Sequence, residues 1–538
     1  MKTIKGIIID PVNRRQFRGE LVINDGKIVQ INELKQSPEQ FILPGLVDAH
    51  IHIESSMLIP SEFAKLAVQH GTVATVSDPH EIANVCGLDG VDYMIENGKK
   101  VPLKFYFGAP SCVPATPFET AGAVLNVDDI KKLLNRDEIL YLAEMMNWPG
   151  VLNDDPDVLA KIKAAQDLGK PVDGHAPGLK GDKAIKYASA GISTDHECFS
   201  KEEAIDKLEA GMLIAIREGS AAKNYDTLIS LLTDYPDKIM FCSDDKHPDD
   251  LIRGHINELV SRTLALGFDI FDTLRACSVN PVKHYGLHVG LLQPGDPADF
   301  IIVDQPENMN VLQTWIDGKN VFDNGIVNFK DVKTTRINHF TPYKVDGDDF
   351  ILRSEKTDQE VIIANDGELI TGRKTYTLPS ENGVILSDPD RDILKIAVVN
   401  RYKKAPPSVA FIKNFGLKNG AIASSVGHDS HNIIVIGSHD EYLAKAVNLI
   451  MEERGGISAV HGDTSDVLGL PVGGIMSDDS GEVVAAGYER LSKISRDMGS
   501  TLKAPFMLIS FMALLVIPAL KLSDKGLFDG EKFEFVEV

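Results

Sequence analysis

The chain has few cysteines for its length, no excess of positive charge and almost no long apolar run. Cys86, Cys112, Cys198, Cys242 and Cys277 are odd in number and form no C-x-x-C pair among 538 residues. That argues against a disulfide framework and a thiolate zinc site, and suits a reducing, cytoplasmic compartment. The formal net charge of -23 disfavours nucleic acid and anionic membrane as partners, since both repel an acidic surface. The N-terminal apolar stretch is too short for a secretory signal. Only "APFMLISFMALLVIPAL" (504–520) resembles a membrane span; it is short and has Pro505 and Pro518 near its ends, which predicts a buried segment instead. Low-complexity tracts, basic runs and internal repeats are missing as well.

What is present is ordered in three rhythms. A chain of this length exceeds one hydrophobic core, so two or three domains are expected. The first forty residues alternate apolar and polar around "NDG" (24–26), a hairpin signal. "GLLQPGDPADFIIVD" (290–304) and "VLQTWIDGKNVFDNG" (311–325) have the same character. Together, 1–44 and 289–345 are expected to form one small composite β-sandwich domain interrupted by an insertion. Within the insertion, 45–288, eight short apolar runs alternate with helical patterns, which fits a (β/α)8 TIM-type barrel; a doubly wound open sheet is the alternative. From 346 to 538 strands and helices mix in an α+β pattern.

Barrel enzymes carry their reactive groups where strands end. The first run ends in "DAHIHI", and strand alternation aims His50 and His52 at one point. The fourth run ends with Glu144, the fifth with His175, the sixth with His196 and the eighth with Asp244 and Asp245. Any one of these has an ordinary explanation as a hydrogen-bonded histidine, a helix cap or a salt-bridged carboxylate. Their joint occurrence at five of eight strand ends predicts a metal centre. Imidazole with carboxylate suits zinc, manganese or iron(II). Four histidines and two carboxylates exceed the needs of one ion, so two ions sharing a carboxylate are expected. The matching chemistry is attack of an activated water on an electrophilic carbon, with Asp244 relaying protons.

The stretches "PGLVDAHIHIESSM", "TVSDPHEIANVCG", "DGHAPGL", "STDHE", "FCSDD" and "GHDSHNI" resemble the adenine deaminase group of the amidohydrolase superfamily, along essentially the whole chain. H-x-H and the S-D-D strand end are shared across that superfamily; "HIHIESSM", "DPHEIANVCG" and "GHDSHNI" are specific to the group. The resemblance implies that His50, His52, His175, His196 and Asp244 are ligands. It implies that Glu144 bridges two divalent ions, manganese or iron(II), where other members use a carbamylated lysine. It further implies hydrolysis of adenine to hypoxanthine and ammonia in purine salvage, with Asp244 as proton shuttle, and a homodimer. Glu54, His80 and Glu81 are candidates to protonate N1, with helix capping as the alternative for both glutamates. Glu54 would share the face of His50 and His52 if that strand continues. His428 and His431 either reach an active site or are turn residues, and Arg217 and Glu218 are candidate substrate contacts. The H-x-E and P-C-x-x-C signature of nucleic-acid deaminases is incomplete here, which favours the free base. Another amidohydrolase acting on a cyclic amide or amino-heterocycle is the alternative, because fold and metals do not specify substrate.

Overall fold

A computed structural model describes residues 1–536. The chain opens with β1 (Lys2–Asp10), β2 (Arg15–Asn24), β3 (Lys27–Glu33) and β4 (Phe41–Pro44). Eight strands follow, each but β7 buried along most of its length: β5 (Leu46–Ile51), β6 (Thr72–Ser77), β7 (Lys104–Ala109), β8 (Ile139–Met145), β9 (Val172–Gly174), β10 (Thr194–Asp195), β11 (Leu213–Arg217) and β12 (Ile239–Cys242). The chain then returns to β-rich structure with β13 (Phe300–Val303), β14 (Val311–Ile316), β15 (Lys319–Asp323) and β16 (Ile326–Val327).

The first and third groups form one sheet in the order β16-β15-β14-β13-β4-β1-β2-β3. Strand β4 joins them, running parallel to β1 and antiparallel to β13. The β2–β3 turn places Asp25 and Gly26 at φ of 48° and 78°, the left-handed pair that a two-residue hairpin requires. Ile8, Leu21, Ile28, Ile42 and Phe300 fill one side of this sheet, with Trp315 stacked on Phe300 at 5.4 Å. The ladder runs unbroken through all eight strands, in one sheet that curls until Lys27 bridges to Pro297.

Strands β5 to β12 pair only in parallel, with helices such as Pro60–Ala67, Leu88–Gly98 and Pro156–Asp167 between them and Ile256–Ala265 after the last. Burial on both faces is what a parallel sheet covered by helices demands. The pairing does not close into one continuous barrel ladder, which corrects the expectation of a closed (β/α)8 barrel. It forms a five-stranded sheet, β5 to β9, and a three-stranded sheet, β10 to β12. The gap between β9 and β10 has a local cause. Backbone donors there turn to side chains: Gly174 N to Thr194 Oγ1 at 3.4 Å and Ala176 N to Asp195 Oδ2 at 2.9 Å. At the other seam an isolated bridge joins Ile51 to Asp244, with Asp244 N donating to His50 O at 2.9 Å.

Beyond residue 350 a second eight-stranded sheet has its centre in Ser408–Lys413, Ile393–Val399, Ile433–Gly437 and Gly420–Ser424. Helix Asp440–Glu453 packs Leu443, Val447 and Ile450 on it. The apolar stretch 504–520 is a short helix, Pro505–Ser510, followed by turns, and most of it is buried. Among the described residues no helix is long and apolar enough to cross a membrane.

Candidate active site

The site begins with a lock between β5 and β12. Asp48, fully buried, accepts from Ser243 N at 3.0 Å, from the Ser243 hydroxyl and from His255 Nε2 at 2.8 Å. This sets His50 and His52 beside Asp244. The two Nε2 atoms lie 3.2 Å apart, and Asp244 Oδ1 is 3.5 Å from the first and 3.2 Å from the second. Asp244 has φ of 54°, a left-handed conformation that costs a non-glycine residue about 1 kcal/mol or more and clusters at functional sites. Asp78 O, 3.2 Å from His52 Nδ1, leaves Nε2 of that ring as the atom facing inward.

Glu144, near the end of β8, is the hub. Its Oε2 is 2.6 Å from His175 Nδ1, just past β9, and 3.2 Å from His196 Nε2, just past β10. Its Oε1 is 3.3 Å from His52 Nε2 and 3.4 Å from His80 Nδ1. The His196 ring stacks on His50 at 4.1 Å. Three overlapping groups, His50–His196–Asp244, Glu144–His175–His196 and His52–Asp78–His80–Glu144, each present donor atoms within 4.8 Å of one another. The expected ligand residues His50, His52, Glu144, His175, His196 and Asp244 are thus all in this one cluster.

The electrostatics match a site built for cations. Burial alone would raise Glu144, but the surrounding His175, His196 and His52 hold it well below the usual carboxylate range. Burial likewise opposes charge on Asp244, and Arg217 with His50 and His52 overrides it. Burial also opposes charge on His175, and the Glu197 and Glu144 carboxylates raise it to about 9. Buried His175 Nε2 and His196 Nε2 have no hydrogen-bond partner, the second despite its nearness to Glu144. Unpartnered imidazole nitrogens around two ionised carboxylates form a nitrogen–oxygen donor set that fits manganese, iron(II) or zinc.

Strand β5 does not continue through Glu54. Residues Ile53–Ser56 form a 3-10 turn, which takes Glu54 off the face of the two histidines. One Glu54 oxygen accepts from Ile82 N at 3.2 Å; the other is buried without a partner, and burial pushes the carboxyl up to about 7. His80 and Glu81 open helix His80–Cys86. Glu81 does not cap it. Its two oxygens are bound by His428 Nδ1 and His431 Nε2, so these histidines reach the strand-end site of their own chain.

Several participants were not singled out from the sequence. Glu197 stands next to His196 and pairs through both oxygens with the buried Arg217. Arg217 Nη1 in turn lies 2.5 Å from Asp244 Oδ2. Arg217 therefore holds the Asp244 carboxylate in place, while Glu218 points away to Lys223 and Arg262 at 3.1 and 2.9 Å. Asp78 fixes His80 through Nδ1 at 3.0 Å. The cavity between these groups is about 30 Å³. His52, Glu144, His175 and Asp244 form its floor, His80, Glu81 and His428 its wall, and Leu369, Phe511 and Leu514 its roof; Glu54 does not line it.

Residues 41–321 match the amidohydrolase family, and residues 368–534 match the adenine deaminase C-terminal domain. The chain is 53% identical to an adenine deaminase of Methanosarcina mazei, over 100% of this chain and 99% of the relative. It is 54% identical to one of Salinibacter ruber, over 99% and 98% of the two chains. Among solved structures it is similar to a β-aspartyl dipeptidase of Fervidobacterium islandicum, with a TM-score of 0.46 at 14% identity, covering 61% of this chain and 100% of that one. On its full-length likeness to these relatives, the chain belongs to the adenine deaminases of the amidohydrolase family.

Proposed function

We propose that the protein hydrolyses adenine to hypoxanthine and ammonia, as the names of its relatives suggest for them. The observation that carries this reading is the convergence of four imidazoles and two carboxylates on one buried cluster. His50, His52 and Asp244 would hold one divalent ion, and His175 with His196 a second, with Glu144 offering an oxygen to each side. Manganese or iron(II) is the proposed pair. Bound there, such ions lower the pKa of water and polarise the electrophilic carbon.

The chain's own groups manage the protons. Asp244, held by Arg217, accepts the proton of the attacking water and delivers it to the departing amine. Glu81, lining the cavity and kept a carboxylate by His428 and its neighbours despite burial, relays a proton from His428 to N1 of the base. Glu54 is assigned no contact with the base, because it lies off the cavity wall. His80 lines the wall beside Glu144 and Glu81 and helps to orient both. Water adds to C6, the amino nitrogen takes the proton held by Asp244 and leaves as ammonia, and the carbon keeps the oxygen, whose remaining proton returns through Glu81 to replace the one given to N1.

On this reading the parallel strands β5 to β12, within 45–288, form the metal-binding domain, the sheet of 1–44 with 289–345 is a second, and 346–538 is a third. A cytoplasmic homodimer in purine salvage completes the proposal. The test is incubation of metal-replete protein with adenine, adenosine, guanine, cytosine, hydantoin and dihydroorotate. Hypoxanthine and ammonia from adenine are expected; turnover of another compound with adenine left intact overturns the reading.

A further inference from the structure

The roof of the cavity rests on a lysine that no step above uses. Lys521, in strand Leu520–Ser523, is fully buried and pairs with no carboxylate among the described residues. Its Nζ donates to Leu369 O at 2.7 Å and to Phe511 O at 2.9 Å. Burial pushes its ammonium down to about 7. An uncompensated buried lysine is costly, so its position calls for an explanation.

Its two acceptors belong to Leu369 and Phe511, two of the four apolar residues that line the cavity. The segments they stand on are separated by more than a hundred residues, and further bonds tie both to the hairpin that carries Lys521. Thr371 N donates to Pro518 O at 3.0 Å, the Thr371 hydroxyl donates to Leu520 O at 2.8 Å, and Leu522 N donates to Met512 O at 3.1 Å. From Phe511 the chain of contacts reaches the wall. Its ring stacks on His428 at 4.6 Å and 7°, and the neighbouring Ser510 O accepts from His428 N at 2.9 Å. His428 holds Glu81. Leu369 and Phe511 both line the cavity, so the seat of these two segments sets the room left for a base.

We propose that Lys521 is a positioning residue: a buried clasp that draws the Leu369 and Phe511 segments together as one roof over the base. The proposal rests on the reading that the base occupies this cavity, and its test separates the two.

Lys521→Met keeps the length of the side chain and removes the donor. The expected result is a KM for adenine raised about tenfold with kcat within about threefold of wild type, because binding is lost in ground and transition states alike. Metal content should not change. Hydrogen exchange, which needs no substrate, should quicken at amides 369–371 and 511–514 and stay as it was in β6. Lys521→Gln, which keeps a shorter N–H donor, should fall between the two; it carries both readouts if the Met variant does not fold. Unchanged exchange in those segments overturns the clasp, as does an unchanged KM in a protein that deaminates adenine. Faster exchange in a protein inert toward adenine leaves the clasp standing and removes the adenine reading.

Discussion

The floor and the roof of the cavity are built from opposite materials. The floor is imidazole and carboxylate, supplied by the ends of parallel strands and held by buried ion pairs. The roof is Leu369, Phe511 and Leu514, supplied by two separate stretches beyond residue 350 and held by backbone hydrogen bonds. The difference teaches a division of labour. Charged groups fixed on short strands suit bond breaking, where small displacements are expensive. Apolar groups on turns suit enclosing a flat ring and letting it go. Floor variants should therefore lower kcat, and roof variants should raise KM.

The largest expected effect is on the floor. Asp244→Asn leaves the cluster its shape and takes away the proton acceptor, so kcat should fall about a thousandfold or more. Steady-state ammonia release measures it, and a loss confined to KM would break the division. Glu144→Gln removes the shared carboxylate charge, and metal analysis should find at most half the wild-type content; full content would mean that another group bridges. On the wall, Glu81→Gln should cost about a hundredfold in kcat with metal content intact if, as proposed, Glu81 serves the base and not the ions. Phe511→Leu, on the roof, should raise KM several-fold and spare kcat.

How much of this was legible in the sequence depends on whether a residue's position follows from local geometry. His50 and His52 did, because alternation in a strand puts residues two apart on one side. Glu144, His175, His196 and Asp244 did, because each ends an apolar run. Glu54 was misplaced by the same rule: alternation was extended past Ile51, where the chain turns into Ile53–Ser56. Glu197 and Arg217 lay at strand ends too, but their pairing spans two strands and no spacing announces it. Leu369, Phe511 and Leu514 read as ordinary core residues, since nothing in an apolar stretch tells which side will face a cavity. The unbroken ladder of the first sheet and the broken one between β9 and β10 were hidden for a related reason. Ladders depend on which backbone donors are captured by side chains such as Thr194 and Asp195.

The smallest predicted effect lies outside the site. His247 is buried against Tyr488 with both ring nitrogens unpartnered, and burial lowers its pKa to about 3. A histidine depressed from 6.5 binds its proton in the unfolded chain first, so stability should fall as pH drops below about 6.5 and stay level above it. The loss by pH 4 is roughly 3 kcal/mol from this residue. Urea unfolding across pH 4 to 7 should show a shallower slope for His247→Leu, with activity at neutral pH retained; an identical slope would mean that the ring is already hydrated.

The central claim is that the strand-end cluster, loaded with divalent ions, deaminates adenine. Its most direct measurement is titration of metal-stripped protein with manganese or iron(II) while hypoxanthine and ammonia are followed together. The account predicts no turnover at the start, activity that climbs to a plateau at two ions per chain, and the two products in equal amounts. Adenine left intact at full metal occupancy, or a rate indifferent to metal, would contradict it.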